Sequence, residues 1–187
     1  MPNFRHRLTL TQQRIYDRSN ATGAIPLRVS TRLRAAVAAL PQALHGGSAL
    51  RVQAVAQAIA DEIGLALRVP SVRVLVSGTR PSNARGELHG LYTPACDPAA
   101  GGTATIKVWM ITAKRGQVVA FKTFLRTLLH EICHHLDYAL LRLADSFHTD
   151  GFYKRESSLF HQIGGAQQHS AHPAHRTDAT PSVGRVL

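Results

Sequence analysis

From Gln117 to Asp145 no glycine or proline interrupts the chain, and Phe121, Phe124, Leu125, Leu128, Leu129, Ile132, Leu136, Leu140 and Leu143 recur at three- and four-residue spacing. That period sets them on one face of an α-helix, so residues 117–145 predict one long amphipathic helix stopping near Ser146. An apolar stripe of this length must be buried against a second layer of structure. The rest of the chain has to supply that layer.

The layer is legible upstream. VRVLVS (72–77), GELHGLY (86–92) and TATIKVWMI (103–111) are short, rich in β-branched or aromatic residues, and separated by the turn-forming runs TRPSNARG and TPACDPAAGG. Strands followed by a helix predict an α+β domain, with a small mixed or antiparallel sheet of about three strands packed on the long helix. Further helices are expected on either side. Residues 30–44, STRLRAAVAALPQAL, read as a short helix that Pro41 should end or kink, because proline lacks the amide proton and clashes with the preceding turn. In SALRVQAVAQAIADEIGLAL, Ser48 can cap a second helix that Gly64 closes. Asp150 is a candidate cap for a last helix over GFYKRESSLFHQI. Residues 1–25 are polar and basic and predict a flexible arm. The folded domain is then expected over 26–163, and a disordered tail over 164–187, where large apolar residues are almost missing.

Charge and cysteine usage narrow the setting. Lys and Arg outnumber Asp and Glu by 22 to 11, and Arg5, Arg7, Arg14, Arg18, Arg28, Arg32 and Arg34 face a single early acid, Asp17. Such a field attracts nucleic acid or other polyanions through counterion release, without sequence preference, so the basic arm could contact nucleic acid. No apolar run reaches membrane-spanning length, so no membrane is expected as a partner, and the N-terminus carries no signal-type apolar core. The two cysteines, Cys96 and Cys133, do not suggest a disulfide framework, and a cytoplasmic location is expected.

The long helix also carries TLLHEICHHLDY, and within it His130-Glu131-Ile132-Cys133-His134. Residues four apart lie one turn above each other, so both imidazoles can face one ion. Glu131 is rotated by about 100° from the first ligand and flanks the metal, placed to act as general base for a zinc-bound water. With this histidine content, chance would give H-E-x-x-H in roughly one chain of a hundred. Two histidines do not complete a catalytic zinc shell, which needs a third protein ligand. A histidine six residues past His134, reached through a glycine three past it, is excluded because those positions are Leu140 and Asp137. Asp137 is instead either a solvated helix residue or a carboxylate receiving a histidine N–H. His148, in the following turn, and Glu156, in the last helix, remain as candidates for the third ligand. Cys133 reads as a small buried apolar group, and His135 as exposed or on a helix face. Tyr138 and Tyr153 could donate to an oxyanion or simply pack.

TLLHEICHH followed by His148-Thr149-Asp150-Gly151-Phe152 resembles the SprT-like zinc metallopeptidases and the related WLM group, in which H-E-x-x-H is followed by a later histidine with Phe or Trp four residues beyond it. The resemblance covers roughly residues 72–163. It implies a zincin-like fold, zinc as cofactor, His148 as third ligand, and hydrolysis of a protein or peptide substrate. Glu156, if it is not the ligand, reads as a second partner to His148 or as a salt bridge with Arg155 or a neighbouring lysine. It also makes DNA-associated proteolysis an expectation. The chain departs from the family in having Thr149 where glycine often follows the third ligand, and in lacking a C-terminal ribbon of cysteines. In the competing gluzincin arrangement Glu156 is itself the ligand. The expected activity is therefore that of a zinc metallopeptidase whose substrate pairs with an exposed edge of the strand at 104–111. The alternative is a nucleic-acid-associated accessory protein with a structural or degenerate metal site.

Overall fold

A computed structural model describes residues 4–84, 86–96 and 101–164. A short 3-10 turn, Phe4–Arg7, leads into α1 (Leu10–Ala21). Thr9 and Gln12 close a reciprocal capping box at its start. The loose arm expected over residues 1–25 is thus corrected for residues 10–21. An amphipathic pattern could not reveal α1, since Leu10 is exposed and Ser19 is the buried position of the helix. It is held by polar contacts instead.

α2 (Thr31–His45) is capped by Ser30, whose hydroxyl accepts from Leu33 N at 2.9 Å. The helix runs through Pro41 to His45, where a stop or kink was expected. Leu40 and Leu44, on either side of the proline, are both buried and hold the last turn in place. α3 (Ala49–Leu67) follows the Ser48 cap and buries Val52, Ala56, Ile59, Ala60 and Ile63. It ends three residues past Gly64, with Arg68 left-handed (φ 54°) and Val69 N donating to the Gly64 carbonyl.

The sheet is mixed. β1 (Val72–Thr79), a small hairpin of β2 (Ser82–Asn83) and β3 (Gly86–Glu87), β4 (Gly90–Thr93) and β5 (Ala104–Ile111) follow in chain order. β1 pairs parallel with β5, and β4 pairs antiparallel with it, giving the order β1-β5-β4. The single strand expected over 86–92 is split at Leu88 and His89, because β3 turns back on β2 while β4 joins β5. The two outer strands are treated differently. Gln57 and Gln53 of α3 satisfy the backbone of β1, with Val74 N donating to Gln57 at 2.7 Å and Val76 N to Gln53 at 3.0 Å. β1 is therefore sealed, and among the described residues β4 is the edge with no strand beyond it. The exposed edge expected at 104–111 is corrected: β5 is central and paired on both sides.

α4 (Phe121–Ala139) packs Phe124, Leu125, Leu128, Leu129, Ile132 and Leu136 into the core shared with the sheet. It is shorter at both ends than the predicted 117–145. At the start, Val119 N donates to the Met110 carbonyl, so residues 118–119 extend the sheet. At the end, Arg142 is left-handed (φ 54°) and Leu143 N donates back to the Asp137 carbonyl. The reversed chain, not a continued helix, buries Leu143. α5 (Asp150–Gly164) then packs on α4, α1 and α2. Its cap is Thr149, not Asp150, since the Thr149 hydroxyl accepts from Phe152 N at 3.0 Å. The tail expected over 164–187 lies outside the described residues from position 165. Among the described residues no helix is long and apolar enough to cross a membrane.

Candidate metal centre

His130 and His134 rise from one face of α4, and His148 descends on them from the turn between α4 and α5. The Nε2 atom of His148 lies 3.0 Å from that of His130 and 3.0 Å from that of His134. One ligand nitrogen from each lies within 4.8 Å of the others, so the three histidines are close enough to hold a metal ion. A tetrahedral zinc shell with bonds of about 2.0–2.1 Å separates its nitrogens by about 3.3 Å, a few tenths of an ångström more than the two distances from His148. Phe152 floors the site, its ring 4.9, 4.7 and 5.1 Å from the rings of His130, His134 and His148.

The far nitrogens of the two helical histidines are engaged. His130 Nδ1 donates to Glu156 Oε2 at 3.1 Å, and His134 Nδ1 donates to Ser146 Oγ at 2.7 Å. Ser146 in turn donates to Asp137 Oδ2 at 2.7 Å. These bonds fix the tautomer that leaves each Nε2 lone pair turned toward the cluster, as metal-ligating histidines require. Burial, aided by the neighbouring imidazoles, pushes His134 down to about 3. His148 is lowered by burial first and by the neighbouring His130 second, with the Glu156 carboxylate acting in the opposite direction. Neutral imidazole is the form that binds metal.

Glu131 lies beside the cluster under the open edge strand. Tyr92 N–H donates to its carboxylate, but burial outweighs that bond and the charge of His130, raising the group to about 7. Gly90 is what permits the arrangement: a Cβ there would meet Glu131 Oε1 at 2.4 Å. A cleft of about 280 Å³ opens over these groups, bordered by Gly90, Tyr92, Tyr138 and Ser146 as well as the histidines and Glu131.

Glu156 reaches the outer nitrogen of His130, on the side away from the converging Nε2 atoms, and also approaches Arg126 at 3.5 Å. Asp137 does not receive a histidine N–H itself; Ser146 stands between it and His134. Its other oxygen accepts from Arg155 at 2.7 Å in a fully buried ion pair. Cys133 is buried behind the cluster, and burial holds its thiol well above the usual range. His135, expected on an exposed or helix face, is buried, with Nε2 donating to the Pro70 carbonyl at 2.9 Å and Nδ1 accepting from Tyr92 at 3.3 Å. Tyr138 stacks on Tyr92 at the cleft wall, with ring centroids 5.7 Å apart. Tyr153 is half-exposed, its ring 5.8 Å from that of His148.

Sequence reasoning missed Ser146, Arg155, Gly90 and Tyr92. Gly90 interrupting a strand pattern was a usable signal of close approach. Nothing local marked the other three. The fold is a mixed α+β domain whose chemistry-bearing feature is a three-histidine cluster with an adjacent buried carboxyl group. No protein-family model matches the chain, and no characterised protein or solved structure shows significant similarity to it.

Proposed function

We propose that the chain is a zinc-dependent peptidase of zincin-like, SprT-like type. The observation that carries this reading is Glu131, a buried carboxyl group set beside three converging imidazoles. A purely structural metal site has no use for such a group. The donor set is all imidazole, which suits zinc and leaves a fourth tetrahedral position open. A zinc ion held by His130, His134 and His148 would polarise a carbonyl and acidify a coordinated water.

The residues of the chain divide the remaining work. The open edge of β4 offers backbone groups to an extended protein or peptide substrate, which would lie across the cleft as an added strand. Glu131 takes a proton from the attacking water as the carbon–oxygen bond forms, then delivers it to the amine as the carbon–nitrogen bond breaks. Glu156 and the Ser146–Asp137 pair hold the two helical histidines in register. The cytoplasm is the proposed setting.

The test is zinc content together with casein or self-cleavage in the wild type and in Glu131→Gln. The variant should retain zinc and lose activity by roughly 10²–10⁴-fold. Equal activity in the two proteins would sink the peptidase mechanism.

A further inference from the structure

We infer that α1 is a clamp that holds the His148 turn in position to bind metal, so that the N-terminal helix is a working part of the metal centre. The inference rests on the triad described above and extends it to a segment outside the cleft.

The contacts of α1 straddle His148. Arg18 Nη2 donates to the Leu141 carbonyl at 3.1 Å, and the Tyr16 ring lies 6.1 Å from the Phe147 ring. Ser19 Oγ lies 3.1 Å from Thr149 Oγ1, and Asn20 Oδ1 accepts from Gly151 N at 3.2 Å. The turn is thus gripped at residues 141, 147, 149 and 151, on both sides of the ligand. A second line of contact runs through the interior. Arg155, fully buried, donates from Nη1 to the carbonyls of Ser19 (2.6 Å) and Thr22 (2.5 Å), and from Nη2 to Ser19 Oγ and Asp137 Oδ1. The last carbonyls of a helix lack their usual intrahelical partners; that of Ser19 takes only a 3.3 Å bond from Thr22 N, and it and the Thr22 carbonyl meet the guanidinium. Asp137 passes the constraint to His134 through Ser146. Two of the three histidines are therefore tied to α1.

The sequence bears the imprint of this contact at Gly151. A Cβ there would lie 2.4 Å from the Ser19 carbonyl oxygen and 2.5 Å from that of Asn20, so α1 presses directly on the start of α5. The helix contributes little apolar burial of its own, which leaves these polar contacts as its attachment.

The experiment uses the full chain. Zinc affinity is measured by competition with a chromophoric chelator, and ligand geometry by the visible absorption of the cobalt-substituted protein. Gly151→Ala wedges α1 away without touching a ligand. It should weaken zinc binding by about 10–100-fold, the range seen when outer partners of a ligand are lost, and shift the cobalt spectrum toward that of His148→Ala. Asn20→Ala and Ser19→Ala should shift both readouts in the same direction by less. Added to His148→Ala, Gly151→Ala should cause much less additional loss than it does alone. A Gly151→Ala protein that melts earlier yet keeps its zinc affinity and cobalt spectrum would reduce α1 to a cover and overturn the inference. If that variant does not fold, wild-type affinity in a Ser19→Ala/Asn20→Ala protein overturns it equally. A wild-type chain that retains no zinc removes the metal reading and the clamp together.

Discussion

The three-histidine cluster draws on two regions that are built in opposite ways. α4 offers His130 and His134 one turn apart, on a helix whose other face buries Phe124, Leu125, Leu128, Leu129 and Leu136. The turn between α4 and α5 offers His148 from irregular chain, held by partners more than a hundred residues away, such as Arg18 on Leu141 and Ser19 on Thr149. Helical ligands are placed by local geometry and anchored by the hydrophobic core. The turn ligand is placed by polar contacts that exist only once the chain has closed on itself.

That contrast can be broken from either side. The largest effect on folding should come from the helix: Leu128→Ala, at a fully buried site, should cost about 2–5 kcal/mol in urea denaturation. A loss below about 1 kcal/mol would mean that the core does not anchor α4 as described. The Glu131 carboxyl gives a pH-dependent effect of similar size in metal-free protein. Folding raises it from 4.5 to about 7, so between these values the folded chain holds a proton that the unfolded chain has released. Its contribution therefore falls as pH rises through that window. His134 works oppositely: lowered from 6.5 to about 3, it adds stability that is lost as pH falls through that range. Glu131→Gln isolates the first contribution. The variant should gain about 3 kcal/mol on the wild type between pH 4.5 and 7.5, measured in chelator-treated protein. A pH-independent difference would contradict the burial of that group.

Smaller effects are expected from the turn. Ser146→Ala removes the link between His134 and Asp137 and should lower zinc affinity by about 10–100-fold. Its midpoint in urea should move much less than that of Leu128→Ala; comparable destabilisation would erase the distinction between the two regions. The smallest change is expected from Glu156→Gln, which keeps an acceptor near His130 Nδ1 and should retain zinc within about tenfold. His148→Ala should weaken zinc binding by far more. Loss of zinc in Glu156→Gln with retention in His148→Ala would exchange the roles of those two residues.

Much of the secondary structure could be read from the chain because its signals are local. The apolar stripes of α2, α3 and α4 follow helical spacing, and the cap at Ser48 precedes its helix as expected. The errors fall where tertiary contact decides. Helical periodicity carried the expected α4 on to Leu140 and Leu143, but the chain reverses at Arg142 to bring Ser146 back to His134. α1 escaped notice because it buries a serine instead of an apolar stripe. The strand at 104–111 has the composition of a buried strand, yet which edge stays open depends on the glutamines of α3, far from it in sequence.

The sequence by itself determined the pair of imidazoles and the flanking carboxyl group, since a four-residue spacing on an uninterrupted helix leaves their relative placement little freedom. Only the tertiary structure decided that His148 meets that pair, that Ser146 and Glu156 orient it, and that Gly90 lets the open strand pass over Glu131. These placements depend on chain reversal, strand order and the docking of α1. Each is fixed by contacts between residues distant in sequence.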